Sequence, residues 1–416
     1  MEDNINSSDT PAAIAARWIS ETVDGDRLLA LAMQLARDSV PDHSAQQHLV
    51  KLAESFLPAE AARSAAIQCR QMAAERDRAV DKLGEADGVV ALFDLDGLQM
   101  ASHHVVSGYH ADLFRVAGAR QVYDLTAGIG ADAIAFARAG LSVIACELDP
   151  VRAIYLRANA ARVGLADRIE VREGDFAGLP LPPGSFVYLD PPRRTSSGRW
   201  GNLAAGVEMV DWAVASGAAG VLAKLAPSVD HAVCRRWDAG IEFISAGGEC
   251  KEALARIGSM KRLGGSQISA VMLPGAERLE GQGDMPATLS PAEAAYLYEP
   301  DPAVIRAGLT GALAARYGLS LLDRNVAYLL GSEPLATPFA TGYRILAAFP
   351  YHRRTVQAWL DEQRAGSLIV KKRGVPDDPE KVRSLFKLRK EPGRPSAILA
   401  LAPQGRRVWA IMLERL

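Results

Sequence analysis

The sequence has few cysteines, and they are placed where they form no recognisable framework. Its 416 residues include only four of them, Cys69, Cys146, Cys234 and Cys250. They lie far apart and show neither a Cys-x-x-Cys pair nor a Cys/His spacing typical of metal ligands. A disulfide framework or a structural zinc site is therefore not expected, and reduced thiols are the simple interpretation. No metal site is predicted.

The sequence also lacks a targeting segment and a membrane span. It opens on Met1-Glu2-Asp3-Asn4, which is acidic and does not have the basic-then-apolar order of a signal peptide. No apolar run approaches the roughly 20 residues that cross a bilayer. These absences predict a cytoplasmic protein without membrane association.

Charge is nearly balanced in total but not along the chain. Residues 343–416 hold 16 Lys and Arg against 7 Asp and Glu, a net charge of +9, whereas residues 1–342 carry −11. A solvated surface explains such a tail as well as a function does. A phosphate-facing patch is the sharper interpretation, because clustered Lys and Arg release counterions when they meet nucleic acid.

The chain is too long for one ordinary core and predicts an α/β protein with several parts. Residues 1–90 have apolar positions at helical spacing and form a predicted N-terminal helical segment. Strands are predicted near 121–125, 142–147, 168–172, 186–190, 219–225 and 241–246. Since helical stretches separate them, residues 91–275 predict a mostly parallel, Rossmann-like sheet covered by helices on both faces. The strands predicted near 250–256 and 267–273 are expected to be antiparallel edge strands.

The remainder of the chain predicts a connector followed by a small separate domain. Residues 276–340 are expected to be a helical connector, with helices beginning at the capping pattern Ser290-Pro291-Ala292-Glu293 and near Asp301-Pro302. Residues 341–416 alternate strand and helix patterns and predict a small, basic α/β domain.

A glycine loop follows the first predicted strand of the central sheet. Gly128 and Gly130 lie at the strand's carboxyl end, where parallel sheets bind nucleotide-like ligands. Glycine allows a sharp turn and a close approach of the ligand, while helix N-terminal amides point toward it. Glu147 ends the second strand and is placed to accept hydrogen bonds from both ribose hydroxyls.

The loop spelling also fits a dinucleotide site, so an oxidoreductase stays open as an alternative. Asp124 and Asp132 flank the loop, however, and would place carboxylates near a negatively charged pyrophosphate. The sulfonium and ammonium groups of S-adenosylmethionine are instead attracted to carboxylates. At the end of the third strand, Asp175 can accept a hydrogen bond from the adenine amino group, and Phe176 can cover the adenine ring. We therefore predict S-adenosylmethionine as the cofactor.

These motifs resemble those of a class I S-adenosylmethionine-dependent methyltransferase. Asp124 to Gly130, including Thr126, matches the first motif, Glu147 the second, Asp175-Phe176 the third and Asp190-Pro191-Pro192 the fourth. The layout, with the lead-in from Met100-Ala101-Ser102 to Tyr109, is similar to the trimethylguanosine-synthase-like branch.

The tail resembles a THUMP-like domain in the stretches Ile369 to Gly374 and Phe386 to Arg389. In RNA-modifying enzymes, THUMP domains imply RNA binding. The expected RNA contacts are Lys371, Lys372, Arg373, Lys387 and Arg389.

The Asp190-Pro191-Pro192 stretch has a mechanism of its own. An oxygen here can accept a hydrogen bond from an exocyclic amine and turn its lone pair toward the methyl group, while the prolines fix the backbone. In amine methyltransferases that act on bases, an aromatic residue usually follows and stacks on the target. Here Arg193 stands in that place, which favours phosphate binding or guanidinium stacking and puts a base amine in question.

Uridine C5 methyltransferases share the Asp-Pro-Pro-Arg spelling but need a cysteine at the end of the next strand. That strand reads Val221-Leu222-Ala223-Lys224-Leu225 and has none. Lys224 is a candidate site residue, although a lysine that extends from a strand end explains it equally well. Methylation of RNA, with a base nitrogen favoured, is the predicted activity. An RNA-binding protein with a non-catalytic methyltransferase fold remains the second alternative.

Overall fold

The chain folds into two units, which are described separately. One consists of Met1–Gly240 with Leu254–Gly264, the other of Ile241–Ala253 with Gly265–Leu416. The structure is a computed structural model and describes residues 10–191, 203–229, 231–263, 267–281, 286–376, 378–388 and 393–416. In those residues, no helix is long and apolar enough to cross a membrane.

The first unit begins with the predicted helical segment. Its helices are α1 (Pro11–Glu21), α2 (Val23–Arg37), α3 (Asp42–Ala53), α4 (Ala59–Ala74), α5 (Arg76–Leu83), α6 (Glu85–Gly88), α7 (Leu95–Met100) and α8 (His104–Val116). Thr10 and Thr22 cap α1 and α2 by accepting hydrogen bonds from Ala13 N–H and Gly25 N–H.

The apolar faces of these helices enter the same core as the central sheet's helices. Trp18 and Ile19 are buried in one cluster with Ile154 and Tyr155, which belong to a later helix of the unit. The helical segment therefore stabilises the sheet layer directly.

The predicted parallel sheet follows, and its predicted strands are confirmed. Its strands are β1 (Gln121–Asp124), β2 (Ser142–Glu147), β3 (Ile169–Glu173), β4 (Phe186–Leu189) and β5 (Gly220–Leu225). They pair in parallel in the order β3-β2-β1-β4-β5. The connecting helices are α9 (Ala131–Arg138), α10 (Pro150–Arg162), α11 (Leu203–Ala215) and α12 (His231–Arg235). Strand order reverses between β1 and β4, which is where open α/β sheets bind their ligands.

The next strands are β6 (Gly240–Ala246), β7 (Glu249–Gly258), β8 (Ile268–Leu273) and β9 (Glu277–Glu280). In the second unit, β8 pairs in parallel with β6 and antiparallel with β9. The antiparallel arrangement expected of the strand at 267–273 therefore holds on its β9 side but is wrong on its β6 side, and its expected edge position is wrong because β8 lies between these two strands.

A seven-stranded sheet forms most of the second unit. Its strands are β10 (Tyr296–Pro300), β11 (Ser320–Asp323), β12 (Val326–Gly331), β13 (Ala340–Pro350), β14 (Ser367–Lys372), β15 (Ser396–Gln404) and β16 (Arg407–Arg415). They lie in the order β11-β12-β10-β13-β16-β15-β14. Its helices are α13 (Pro302–Arg306), α14 (Thr310–Tyr317), α15 (Arg353–Glu362) and α16 (Pro379–Ser384). Buried clusters lie on both faces, one around Tyr328 and Trp409 and the other around Val356 and Leu360.

The segment 276–340 contains α13 and α14 but also β9, β10, β11 and β12. The helix predicted at Ser290 is wrong. Glu293 N–H bonds to Ser290 C=O, which closes one turn, and β10 begins at Tyr296. The capping pattern starts a turn here because β10 is taken up by β12 on one side and β13 on the other, so tertiary pairing outweighs the local signal. The helix predicted at Asp301-Pro302 is confirmed as α13, with Asp301 as its N-cap.

Candidate active site

The first glycine of the loop after β1 leaves open space above it. Gly128 has φ +56°, in the left-handed region that favours glycine, and a Cβ there would meet nothing within 4 Å. Its N–H points at a carboxylate oxygen of Glu147, at 2.7 Å. Gly128 and the neighbouring Glu147 carboxylate therefore form an open site, the glycine cradle, whose backbone a ligand can approach closely.

Gly130, the second glycine of the loop, has a packing role. Gly130 has φ +97°, and a Cβ added to it would lie 2.2 Å from Cδ1 of Leu156 in α10. A residue without a side chain is required at this position so that the start of α9 can pack closely on α10. Its predicted cofactor contact stays a prediction, and its packing role was not foreseen.

Glu147 organises the backbone at the end of β2. Its carboxylate accepts hydrogen bonds from Gly128 N–H at 2.7 Å and Asp149 N–H at 2.8 Å. Burial raises the pKa of Glu147, and these two hydrogen bonds offset part of that rise. Asp149 accepts from Val151 N–H at 2.9 Å and caps α10. Glu147 thus lies beside the glycine cradle.

Asp124 is completely buried at the end of β1. One carboxylate oxygen accepts Thr126 N–H at 3.2 Å, and the other, Oδ2, has no hydrogen-bond partner among the described residues. Burial raises the pKa of Asp124 well above its usual range, and the nearby charge of Asp132 adds to the rise. A buried carboxyl of this kind is ready to ionise when a cation arrives.

Thr126 joins the glycine loop to the fourth motif. Its Oγ accepts the backbone N–H of Asp190 at 2.7 Å. The residues predicted at the ends of β1 and β4 are thereby brought together. Thr126 acts as the link between the two loops, and its own contact with a cofactor remains a prediction.

The side chain of Asp190 pairs with Lys224, which in turn contacts Ser102. The ammonium of Lys224, in β5, lies 2.6 Å from Asp190 Oδ2 and 3.2 Å from Ser102 Oγ. The Lys224 side chain is 11% exposed and that of Asp190 24% exposed. Lys224 therefore faces the site from the strand next to β4.

A second polar pair lies beneath this one. His110 Nδ1 and Asp132 Oδ1 are 2.9 Å apart, and both residues are buried. Burial by itself would raise the pKa of Asp132, but His110, together with Lys224 and Ser102, outweighs it and lowers the pKa. His110 and Ser102 were not predicted as site residues. Only their place in the segment before β1 connected them with the loop.

The residues predicted at the adenine end lie beyond β3. Asp175 accepts Ala177 N–H at 2.9 Å and starts a short 3₁₀ turn. Phe176 is buried and packs edge-on against Trp212, with ring centroids 5.1 Å apart. The Phe176 ring thus packs against α11, and its predicted contact with the adenine ring stays a prediction. Pro191 continues from Asp190, whereas Pro192 and Arg193 lie outside the described residues.

The predicted RNA-contacting residues lie in the second unit. Lys371 and Arg373 both pair with Glu299, at 2.7 and 3.3 Å. Their cations also lie over the rings of Tyr343 and Tyr328, each 5.4 Å from the ring centroid. Lys372 donates to the carbonyls of Val375 and Pro376.

The side chain of Lys387 is exposed, and Arg389 lies outside the described residues. Two of the five predicted RNA contacts therefore already have an acidic partner and an aromatic ring within their own unit.

The residues around the glycine cradle fit S-adenosylmethionine. An open glycine, a carboxylate at the end of β2 and a buried carboxyl at the end of β1 lie near one another at the carboxyl edge of the sheet. In the described residues, no group of three or more His, Cys, Asp and Glu side chains is arranged to hold a metal ion. The carboxylates of the site thus match the prediction of a nucleoside ligand with a sulfonium and an ammonium group.

Comparison with known proteins agrees with this geometry. Residues 340–415 match the family described as THUMP domain-like, as predicted for the tail. Relatives from two Mycobacterium tuberculosis strains, CDC 1551 and H37Rv, are each 29% identical over 337 residues, covering 78% of this chain and 89% of the relative. Both relatives are named as uncharacterised S-adenosylmethionine-dependent methyltransferases.

A solved structure extends the comparison to nearly the whole chain. It comes from Porphyromonas gingivalis W83, is named as a candidate methyltransferase, and is 20% identical with a TM-score of 0.69. The match covers 94% of this chain and 98% of that one. The chain therefore has the fold of a methyltransferase, with a Rossmann-like sheet, an N-terminal helical segment and a THUMP-like domain at its C-terminal end.

Proposed function

We propose that this protein is an S-adenosylmethionine-dependent methyltransferase and that its acceptor is RNA, with a base nitrogen as the methylated atom. The observation that carries the proposal is the hydrogen bond from Asp190 N–H to Thr126 Oγ, at 2.7 Å. It joins the backbone of Asp190 to the loop that carries Gly128, which supports a site formed by both. A cofactor held by the cradle and an acceptor held by Asp190 would therefore be neighbours.

The named residues divide the work between the two ligands. When bound, S-adenosylmethionine supplies an electrophilic methyl group. Glu147 holds the ribose hydroxyls, Asp175 the adenine amino group, and Asp124 faces the cationic end. The carboxylate of Asp190 accepts a hydrogen bond from the acceptor amine, which turns the nitrogen lone pair toward the methyl group. Methyl transfer then depends mainly on alignment, and the proton that the methylated amine releases passes to the Asp190 carboxylate.

The charge pattern and the C-terminal domain support RNA as the acceptor. Residues 343–416 carry +9, and residues 340–415 match a THUMP-like family. A basic domain of this kind provides the electrostatic part of RNA binding. The similarity of the motif layout to the trimethylguanosine-synthase-like branch is part of the same proposal.

Labelled S-adenosylmethionine offered to total RNA, DNA and protein tests the acceptor class. We expect label in RNA, and nucleoside analysis of that RNA then identifies the methylated atom. Label in protein or DNA alone would overturn the RNA acceptor but keep the enzyme class. Absence of transfer to every fraction, with cofactor still bound in calorimetry, would favour a non-catalytic binding protein.

The Asp190→Ala variant tests the site itself. It should bind S-adenosylmethionine as the wild type does and lose turnover by about 100-fold or more, the usual scale for a positioned proton acceptor. Undiminished turnover would show that Asp190 serves only the fold.

A further inference from the structure

A continuous line of polar contacts leads from the interior of the first unit to Asp190. His110 meets Asp132 at 2.9 Å, Asp132 hydrogen bonds with Ser102, and Ser102 Oγ lies 3.2 Å from Lys224. Lys224 then meets Asp190 at 2.6 Å. Five residues from separate parts of the chain thus end at the carboxylate that faces the acceptor.

The three inner residues of this line are more buried than the Lys224–Asp190 pair at its end. The residues His110, Ser102 and Asp132 are 0%, 4% and 7% exposed, whereas the side chain of Asp190 is 24% exposed. His110, Ser102 and Asp132 are fixed by packing, whereas the side chains of Lys224 and Asp190 are partly exposed. A side chain supported in this way keeps one orientation.

The charges along the line explain why a lysine stands in β5. Asp124, Asp132, Glu147 and Asp190 are interacting carboxyl groups at the ends of the strands and the start of α9. Lys224 contacts Asp190 and His110 contacts Asp132, while Arg152 acts on Glu147. Lys224 contacts Asp190 directly and also lowers the pKa of Asp132. Without its ammonium, the carboxylates would repel each other and favour their protonated forms.

We propose that Lys224 and Ser102 are positioning residues for Asp190. Lys224 keeps Asp190 in its carboxylate form and fixes one of its oxygens, while Ser102, anchored on the His110–Asp132 pair, fixes Lys224. This inference rests on the proposed function for its consequence in catalysis. Its consequence for the charge state of Asp190 does not depend on any acceptor.

A titration of Asp190 tests the inference without an acceptor. In protein carrying carbon-13-labelled aspartate, the carboxyl signal that disappears in Asp190→Asn is assigned to Asp190 and followed against pH. We expect its midpoint to move up by about 1 pH unit or more in Lys224→Met, as for a carboxylate that loses a cation within about 4 Å. Equal midpoints in both proteins would overturn the inference.

Control variants separate charge from packing. Lys224→Arg keeps a cation and should leave the Asp190 midpoint within a few tenths of a pH unit of the wild type. Lys261→Met removes another ion pair of the same 2.6 Å length, with Asp238, and should leave it unchanged. If Lys224→Met does not fold, Lys224→Gln serves in its place, since it keeps a donor but loses the charge. A midpoint that moves equally in the Lys261 control would contradict a local effect.

Methyl transfer to total RNA then tests the catalytic consequence. Lys224→Met should keep the wild-type Kd for S-adenosylmethionine, lose kcat about 100-fold, and show its acid limb at higher pH, with Lys224→Arg restoring part of each. Wild-type kcat with an unmoved acid limb in Lys224→Met would overturn the positioning role. Absence of transfer by the wild type would overturn the proposed function alone, because the titration result would still stand.

Discussion

Asp124 is the residue at which burial and charge conflict most directly. It is fully buried beside Asp132, and its Oδ2 has no hydrogen-bond partner among the described residues. Such a carboxyl is costly to the fold when ionised but attractive to a cationic ligand. Ionised Asp124 therefore lowers the stability of the unliganded protein but favours binding of a cationic ligand.

Asp124→Asn should stabilise the unliganded protein increasingly as pH rises. In the unfolded chain, Asp124 loses its proton near the ordinary aspartate pKa of about 3.9, whereas burial keeps the proton on to a higher pH in the folded chain. The unfolded state is thus favoured as pH rises above the unfolded value, until the folded pKa is reached. Asn does not titrate. Thermal unfolding from pH 4 to 8 should show equal midpoints near pH 4 and a growing advantage of the variant above it.

Asp112→Asn is the matched control, because Asp112 is exposed and pairs with Arg115 at the surface. Its unfolding temperature should follow the wild type across the range. A constant difference between Asp124→Asn and the wild type at every pH would contradict the burial argument. The variant should also bind S-adenosylmethionine more weakly at pH 7.

The two loop glycines should respond differently to substitution. Gly128→Arg fills the open cradle and should abolish cofactor binding in calorimetry while losing only about 1 kcal/mol of stability, the usual cost of a side chain at positive φ. Gly130→Ala places a Cβ on Leu156 and should lose more, on the order of 1 to 3 kcal/mol for overpacking in addition to the backbone cost. Chemical denaturation compares the two. A larger loss for Gly128→Arg would reverse the assignment of their tasks.

At the scale of elements, α10 connects the helical segment to the site. It begins at Asp149, next to Glu147, and its buried side chains Ile154 and Tyr155 pack against Trp18 of α1. Tyr155 also donates to Gln68 of α4 at 2.8 Å. The helical segment thus supports the element whose N-terminus lies beside the cradle.

Removal of residues 1–90 should therefore prevent the rest of the chain from folding normally. The deletion uncovers Ile154 and Tyr155, and exposed apolar surface of this kind leads to aggregation or a molten state. We expect lost near-ultraviolet circular dichroism and binding of a hydrophobic dye. A soluble fragment of residues 91–416 with cooperative unfolding and wild-type cofactor affinity would show that the rest of the chain folds without the segment.

At the scale of the whole molecule, the basic tail needs a sharper test than removal of all its charges. Lys371 and Arg373 pair with Glu299 and lie over aromatic rings, so their loss should lower the stability of the second unit. Substitution of these two residues mixes folding with binding. The exposed lysines Lys381 and Lys387, together with Lys372, are better probes of RNA contact.

Alanine at Lys372, Lys381 and Lys387 should weaken RNA binding and its salt dependence together. Each lost phosphate contact lowers the slope of log K against log salt by about 1. Fluorescence anisotropy with a total RNA fraction at several salt concentrations measures both. Lys51→Ala, in the helical segment of the acidic portion, is the control. An unchanged affinity and slope in the triple variant would remove the electrostatic argument for RNA.

Much of the fold was predictable because its signals are local and periodic. The strands β1 to β5 and the glycine loop follow from apolar runs separated by helical spacing, and the carboxyl ends of parallel strands must meet at one edge. Ser290 shows the limit of such reasoning. Its capping pattern is genuine, yet strand pairing of β10 with its two neighbours decides the structure there.

The sequence by itself determined the order of the motifs, the alternation that builds the parallel sheet, and the donor types that favour a cationic nucleoside. These depend on residue type and spacing along one stretch of chain. Only the tertiary structure decided that Gly128 has open space above it while Gly130 packs closely on Leu156, and that Lys224 contacts Asp190 and connects it with Ser102, Asp132 and His110. Burial and side-chain contact between distant segments carry no local periodicity, so no spacing rule announces them.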